Sequence, residues 1–167
     1  NLDVEMYWSD RLLSVDSPEW QNADGVPVFD YSNWEPGYTQ VRYVKISNEG
    51  NLALKWLLSI EAEDQLGTIA EVIDVYYINP VSSAITSLDG LTPVGILKDV
   101  IAGHSSTSGS LLPKSAQGGN TAILAIAFHM QESAGNDYMS QSTGAFTLKL
   151  LATQLQYESD SFDNTYD

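Results

Sequence analysis

The chain has no cysteine. Disulfides, thiolate nucleophiles and cysteine-bound metals are therefore excluded, and its stability must come from packing. Only two histidines occur, His104 and His129, and their separation rules out a helical His-Glu-x-x-His zinc motif. Bases are scarce: 7 Lys and Arg stand against 22 Asp and Glu, for a net charge of -15. Such a chain repels phosphate backbones and anionic lipid surfaces, so neither nucleic acid nor direct membrane insertion is expected. Apolar runs fall well short of the 18 or so residues of a helical membrane span. A Gly-x-Ser-x-Gly elbow is missing, and "SAQGGN" has no helix behind it to make a phosphate loop. No leader is visible in "NLDVEMYW", which opens directly in a strand-like pattern; the expectation is a mature chain from which a leader has been removed.

What is present is a core. Of 167 residues, 43% are hydrophobic and 10% aromatic, and a chain of this length buries roughly 70% of its unfolded surface. A single domain over 1–167 is expected, with a partly loose acidic tail over about 156–167.

Strand patterns dominate. In "NLDVEMYW", Leu2, Val4, Met6 and Trp8 share a face. "GVPVFDY" (25–31) is a short strand whose Pro27 suggests an edge, and Pro36-Gly37 in "NWEPGYTQ" suits a type II turn. "VRYVKIS" and "LALKWLLSIE" are long strands. Leu52, Leu54, Trp56, Leu58 and Ile60 alternate along the second, and Asn48-Glu49-Gly50-Asn51 between them predicts a hairpin. Leu66, Ile69 and Ile73 predict a helical turn feeding a strand over 72–78.

"LTPVGILKDVIAG" reads as a helix with Thr92 as N-cap, Pro93 at its first position and Gly103 past its end. The Ser- and Gly-rich stretch 103–120 reads as an exposed loop, with Leu111 and Leu112 pinned down. In "TAILAIAFHM", Leu124, Ile126, Phe128 and Met130 share a face opposite His129. In "AFTLKLLATQLQYE", Phe146, Leu148 and Leu150 alternate with Thr147, Lys149 and Leu151. Seven or eight strands with one or two short helices in the connections predict an all-β fold, a two-layer antiparallel β-sandwich.

Chemistry-bearing groups are few. His129 closes a strand, and Glu132 converges on it only if the chain turns over 131–136, which "ESAGN" permits. A catalytic zinc needs about three N, O or S ligands and an open position, and that set is not assembled by any motif. The expectation for His129 is a half-buried strand end hydrogen-bonded to a carbonyl. Asp160, Asp163, Asn164 and Asp167 in "DSFDNTYD" offer hard oxygens that suit calcium, at a spacing unlike an EF-hand. Trp20, Trp34, Tyr38, Tyr138 and Tyr157 are candidate exposed aromatics, whereas Trp8 and Trp56 read as core. No catalytic residue and no required cofactor is assigned.

Several blocks together resemble the TasA/camelysin family of bacterial proteins exported with a SipW-type signal peptide. They are "NLDVEM", "WEPGYTQVRYVKISNEGNLALKWLLSIE" (34–61), "VIDVYYI" (72–78), "AFHMQESAGNDY" (127–138) and "ATQLQYESDSFDNTYD" (152–167). The resemblance spans nearly the whole chain, and 34–61 is its most telling part. It implies a jelly-roll sandwich, secretion, and a place in the extracellular biofilm matrix or on the cell surface.

Some members form fibres by donor-strand complementation, in which the segment before the first strand enters the next subunit. This implies self-association, with Leu2, Val4 and Met6 as candidate assembly residues and other matrix proteins as further partners. No residues precede Asn1 in this sequence, so the expectation is a chain without its donor, monomeric by itself. A secreted structural fibre or surface-layer subunit is the first reading. A camelysin-like secreted metallopeptidase and a surface adhesin binding glycan or protein through its long loops stand beside it.

Overall fold

The computed structural model describes residues 2–155 apart from 31, 64, 117, 139, 140 and 142. Two antiparallel sheets pack face to face as an all-β sandwich. The strands are β1 (Val4–Ser9), β2 (Gln21–Asn22), β3 (Phe29–Asp30), β4 (Thr39–Asn48), β5 (Leu54–Ala62), β6 (Ile73–Ile78), β7 (Gly95–Ile96), β8 (Thr107–Leu111), β9 (Thr121–Met130) and β10 (Ala145–Gln154). The first sheet runs β2-β1-β4-β9-β6-β7 and the second β3-β10-β5-β8. From β4 onward the longer strands (β4, β5, β6, β8, β9 and β10) change sheet at each step, a jelly-roll-like winding.

Period-two alternation does what it predicts. Leu54 and Leu58 are fully buried and Trp56 and Ile60 nearly so, while Lys55 and Glu61 face out. Leu124, Ile126, Phe128 and Met130 of β9 are all sealed from solvent. Phe128 stacks on Phe29 with ring centroids 3.9 Å apart and meets Phe146 edge-on at 5.7 Å, tying β9 to β3 and β10 across the layers. Offset and edge-on ring pairs of this kind add to simple area burial.

The first sheet is apolar on both sides because both are covered. Trp20, Tyr43 and Ala125 make a second cluster on its outer face, joined by Leu12, Leu13, Val81 and Ile85. Trp20 donates its indole N–H to Ser14 O at 2.8 Å, and Tyr43 Oη accepts from Ile85 N–H at 2.8 Å. This explains why β9 reads as a nearly unbroken apolar run.

The expected β4–β5 hairpin is not formed. β4 pairs with β1 and β9, whereas β5 pairs with β10 and β8. Residues 48–53 instead carry the chain from one sheet to the other. Asn48 makes this corner: fully buried, it donates to Leu52 O at 2.8 Å and Leu112 O at 2.9 Å, and accepts from Gly50 N–H at 3.0 Å. An Asx-type bond of this kind competes with hairpin pairing and turns the chain aside.

Two further expectations fail locally. The helix does not start at Thr92. Val94 N–H bonds to Val75 O at 2.8 Å and Gly95–Ile96 pairs with β6, so helical turns occupy only Leu97–Asp99 and Val100–His104. The loop expected over 103–120 contains β8, the outermost strand of the second sheet. A Cβ at Gly109 would lie 2.7 Å from Trp56 Cζ2; glycine is there so that the indole can lie against the backbone. Leu111 is buried as expected, but Leu112 is 47% exposed. The turn feeding β6 and the Pro36-Gly37 turn are as expected: Thr68–Glu71 is helical, Gly37 has φ +87°, and Tyr38 N–H reaches Glu35 O at 2.9 Å.

Candidate functional site

Residue alternation along β9 puts His129 on the outer face, opposite Thr39 in the β4 register. Its Nδ1 lies 2.7 Å from Thr39 Oγ1. The chain then turns over Gln131–Ala134, closed by Ala134 N–H to Gln131 O at 3.1 Å. This brings Glu132 back so that Oε1 sits 2.9 Å from His129 Nε2. The partners are thus a hydroxyl and a carboxylate, where a carbonyl was expected. With Nε2–H donated to Glu132, Nδ1 is free to accept from Thr39. The hydrogen bond from His129 is the main reason the Glu132 carboxyl is held below its ordinary range. Both ring nitrogens are engaged, and the arrangement fastens the 131–134 turn to the start of β4. Among the described residues, His, Asp and Glu nowhere gather in a group of three or more that could hold a metal.

The calcium candidates Asp160, Asp163, Asn164 and Asp167 lie outside the described residues, as do Tyr157 and the side chain of His104. Two aromatics expected at the surface are core instead: Trp34 is 1% and Trp20 8% exposed. Tyr38 keeps 37% exposure and meets Trp34 edge-on at 5.4 Å. Among the described residues, no helix is long and apolar enough to cross a membrane.

A different site emerges at the sandwich's open side, where β1 and β10 face one another. The backbone direction of β10 follows from its bonds. Phe146 O accepts from Val28 N–H at 2.9 Å on the β3 side, and Leu155 N–H reaches Ala53 O at 3.0 Å on the β5 side. Even-numbered residues of β10 therefore point away from β5. β3 ends its pairing at Phe146, and Asp24 bridges Leu148. Beyond it, no described residue pairs with the outward N–H and C=O groups of Leu150, Ala152 and Gln154. On β1 the same parity holds: Met6 O accepts from Ala23 N–H at 2.9 Å, and β2 pairs only Tyr7 and Trp8. The outward groups of Val4 are left over.

Between these edges runs a groove of about 220 Å³, with Val4 and Met6 on one wall and Leu148 and Leu150 on the other. That exceeds the ~150 Å³ of an apolar cavity able to accept benzene. Unpaired strand edges beside a groove with aliphatic walls and a polar rim of Glu5, Asn22 and Asp24 are what an added strand needs, backbone bonds for affinity and pockets for alternate side chains.

The three assembly candidates fall here in different ways. Met6 is buried, Val4 is half-buried on the wall, and Leu2 precedes β1 with 42% exposure. The opposite wall was missed. Leu148 and Leu150, read only as the inward face of an ordinary core strand, form it; Leu151 faces out on the other side with 53% exposure. Comparison with protein-family models and with curated proteins gave no match to this chain.

Proposed function

We propose that this chain is a secreted structural subunit of extracellular biofilm-matrix fibres or a cell-surface layer, joined to its neighbours by donor-strand complementation. The observation that carries this reading is the free edge of β10 beside a groove walled by Val4, Met6, Leu148 and Leu150. An extended segment of a neighbouring copy, the part preceding its own β1, pairs with Leu150, Ala152 and Gln154 and sets alternate side chains against Leu148, Leu150, Val4 and Met6. Self-association satisfies backbone groups that water otherwise serves, and buries apolar wall without rebuilding the sandwich. The block-wise resemblance to the TasA/camelysin family supports the extracellular setting.

The test uses the mature protein concentrated from its host's medium and watched by electron microscopy for filaments. Ala152→Pro removes a backbone donor that points away from β5, so the β5 ladder is kept and a proline at a sheet edge is tolerated. Filament growth should stop while thermal unfolding stays within about 0.5 kcal/mol of the parent. Filaments that elongate equally well with Ala152→Pro would overturn the reading.

A further inference from the structure

The groove between β1 and β10 has a charge as well as a shape. Its lining includes two acids, Glu5 and Asp24, and no base. Neither carboxylate has an ion-pair partner among the described residues, whose ion pairs are Arg11–Glu19, Lys98–Glu71, Lys114–Glu49, His129–Glu132 and Lys149–Glu61. Glu5 accepts a hydrogen bond from the Tyr7 hydroxyl. Lys45 lies over the Tyr7 ring at 4.6 Å, donates to Val15 O at 2.9 Å, and shares its charge among Asp16, Glu49 and Glu5 without forming an ion pair with Glu5. At the other end Asp24, also in the lining, bonds through its backbone N–H to Asn22 Oδ1 at 2.7 Å. The walls are aliphatic and the lip is acidic.

We propose that the strand received here is cationic: it turns aliphatic side chains two residues apart toward Leu148, Leu150, Val4 and Met6, and carries lysine or arginine where it passes Glu5 and Asp24. This rests on the strand-receiving reading above and names the chemistry of the strand. Opposite charges across paired strands favour association, and like charges directly opposed disfavour it. The lip therefore selects as well as attracts, because an acidic segment would add a third charge of the same sign to an unpaired pair. In a chain with 22 acids and 7 bases, that disfavours entry of its own acidic exposed segments.

The experiment titrates the full chain with three synthetic nine-residue peptides and follows the amide signals of Val4, Leu150 and Ala152 by NMR. The first alternates valine with lysine, the second valine with glutamate, and the third replaces the valines of the first with asparagine. The valine–lysine peptide should shift those amides and bind about tenfold more tightly than the valine–glutamate peptide, given two cross-strand charge pairs. Its affinity should fall as salt rises.

Glu5→Gln with Asp24→Asn, which keeps the Tyr7 acceptor and the Asp24 backbone bond, should erase the preference. Equal binding of the lysine and glutamate peptides would overturn the cationic rule and leave the strand-receiving groove standing. Binding of the asparagine peptide as tight as the valine–lysine peptide would also overturn it, since charge alone would then suffice. If none of the peptides moves these amides, the groove reading itself falls, and this inference with it.

Discussion

The second sheet ends on β8 at one side and on the two-residue β3 at the other, which leaves most of β10 at an edge, and the chain treats β8 and β10 differently. At β8, Asn79 Nδ2 donates to Ser108 O at 3.0 Å and to Thr107 Oγ1 at 2.8 Å, and Leu112 N–H bonds to Gly119 O at 2.9 Å. The edge is capped at both ends by groups from outside the sheet. At β10 the cover stops with Asp24 at Leu148. The first sheet goes further than β8 and ends on strands of two residues each, β2 and β7, the commonest way to keep edges from pairing. These edges are closed by recognisable devices, whereas β3, equally short, covers only Ala145 and Phe146 of the ten-residue β10. An edge left open beside them is a property of the fold, and the place to look for a partner.

Predictions that break or sharpen this contrast run from large to small. Asn48→Ala attacks the corner that lets successive strands change sheet and that also holds Leu112, at the end of β8. The buried Gly50 N–H and two part-buried carbonyls lose their partner, at a cost of about 2 kcal/mol, read by denaturant unfolding. Gly109→Ala strikes β8 from inside by pushing on Trp56, which is 3% exposed; overpacking of this kind costs about 2 kcal/mol, and tryptophan fluorescence should shift red.

Asn79→Ala uncaps β8 at a cost of about 1 kcal/mol and turns a closed edge into an open one. Concentration-dependent sedimentation should then show association that the parent edge does not support. The smallest effect concerns the His129 clasp, away from both edges. The Glu132 carboxyl is depressed in the folded state, so its contribution is present above the ordinary carboxylate pKa and is lost as pH falls through its folded value. Glu132→Gln should remove that part of the acid dependence of the thermal midpoint and leave neutral-pH association unchanged.

The reach of the sequence differs across these features. Alternation in β5 and β9 assigned Leu58 and Phe128 to the core without ambiguity, because side-chain direction in a strand is a local property. Partner choice is not local. β4 and β5 have the composition of a hairpin, and only the burial of Asn48 between Leu52 O and Leu112 O shows why they part. Trp20 misled for a related reason: its neighbours are mostly polar, and its apolar surroundings, Tyr43 and Ala125, come from distant strands. β8 hid behind Ser and Gly, residues that usually mean loop, although Gly109 is glycine to admit an indole. The groove was least visible of all, since it is defined by backbone groups that find no partner.

The winding of the strands also orders events in time. β10 pairs with β5 and β3, both of which precede it by more than 80 residues of chain, and it is the last of the described strands to leave the ribosome. Until residues 145–154 arrive, β5 must wait with its longest flank bare, and closure depends on bringing distant parts of the polypeptide together. Such topologies fold in milliseconds to seconds rather than microseconds. Through that interval the nascent chain is open to capture by the wrong strand, so a chaperone that shields β5 would raise its yield more than one acting on the finished protein.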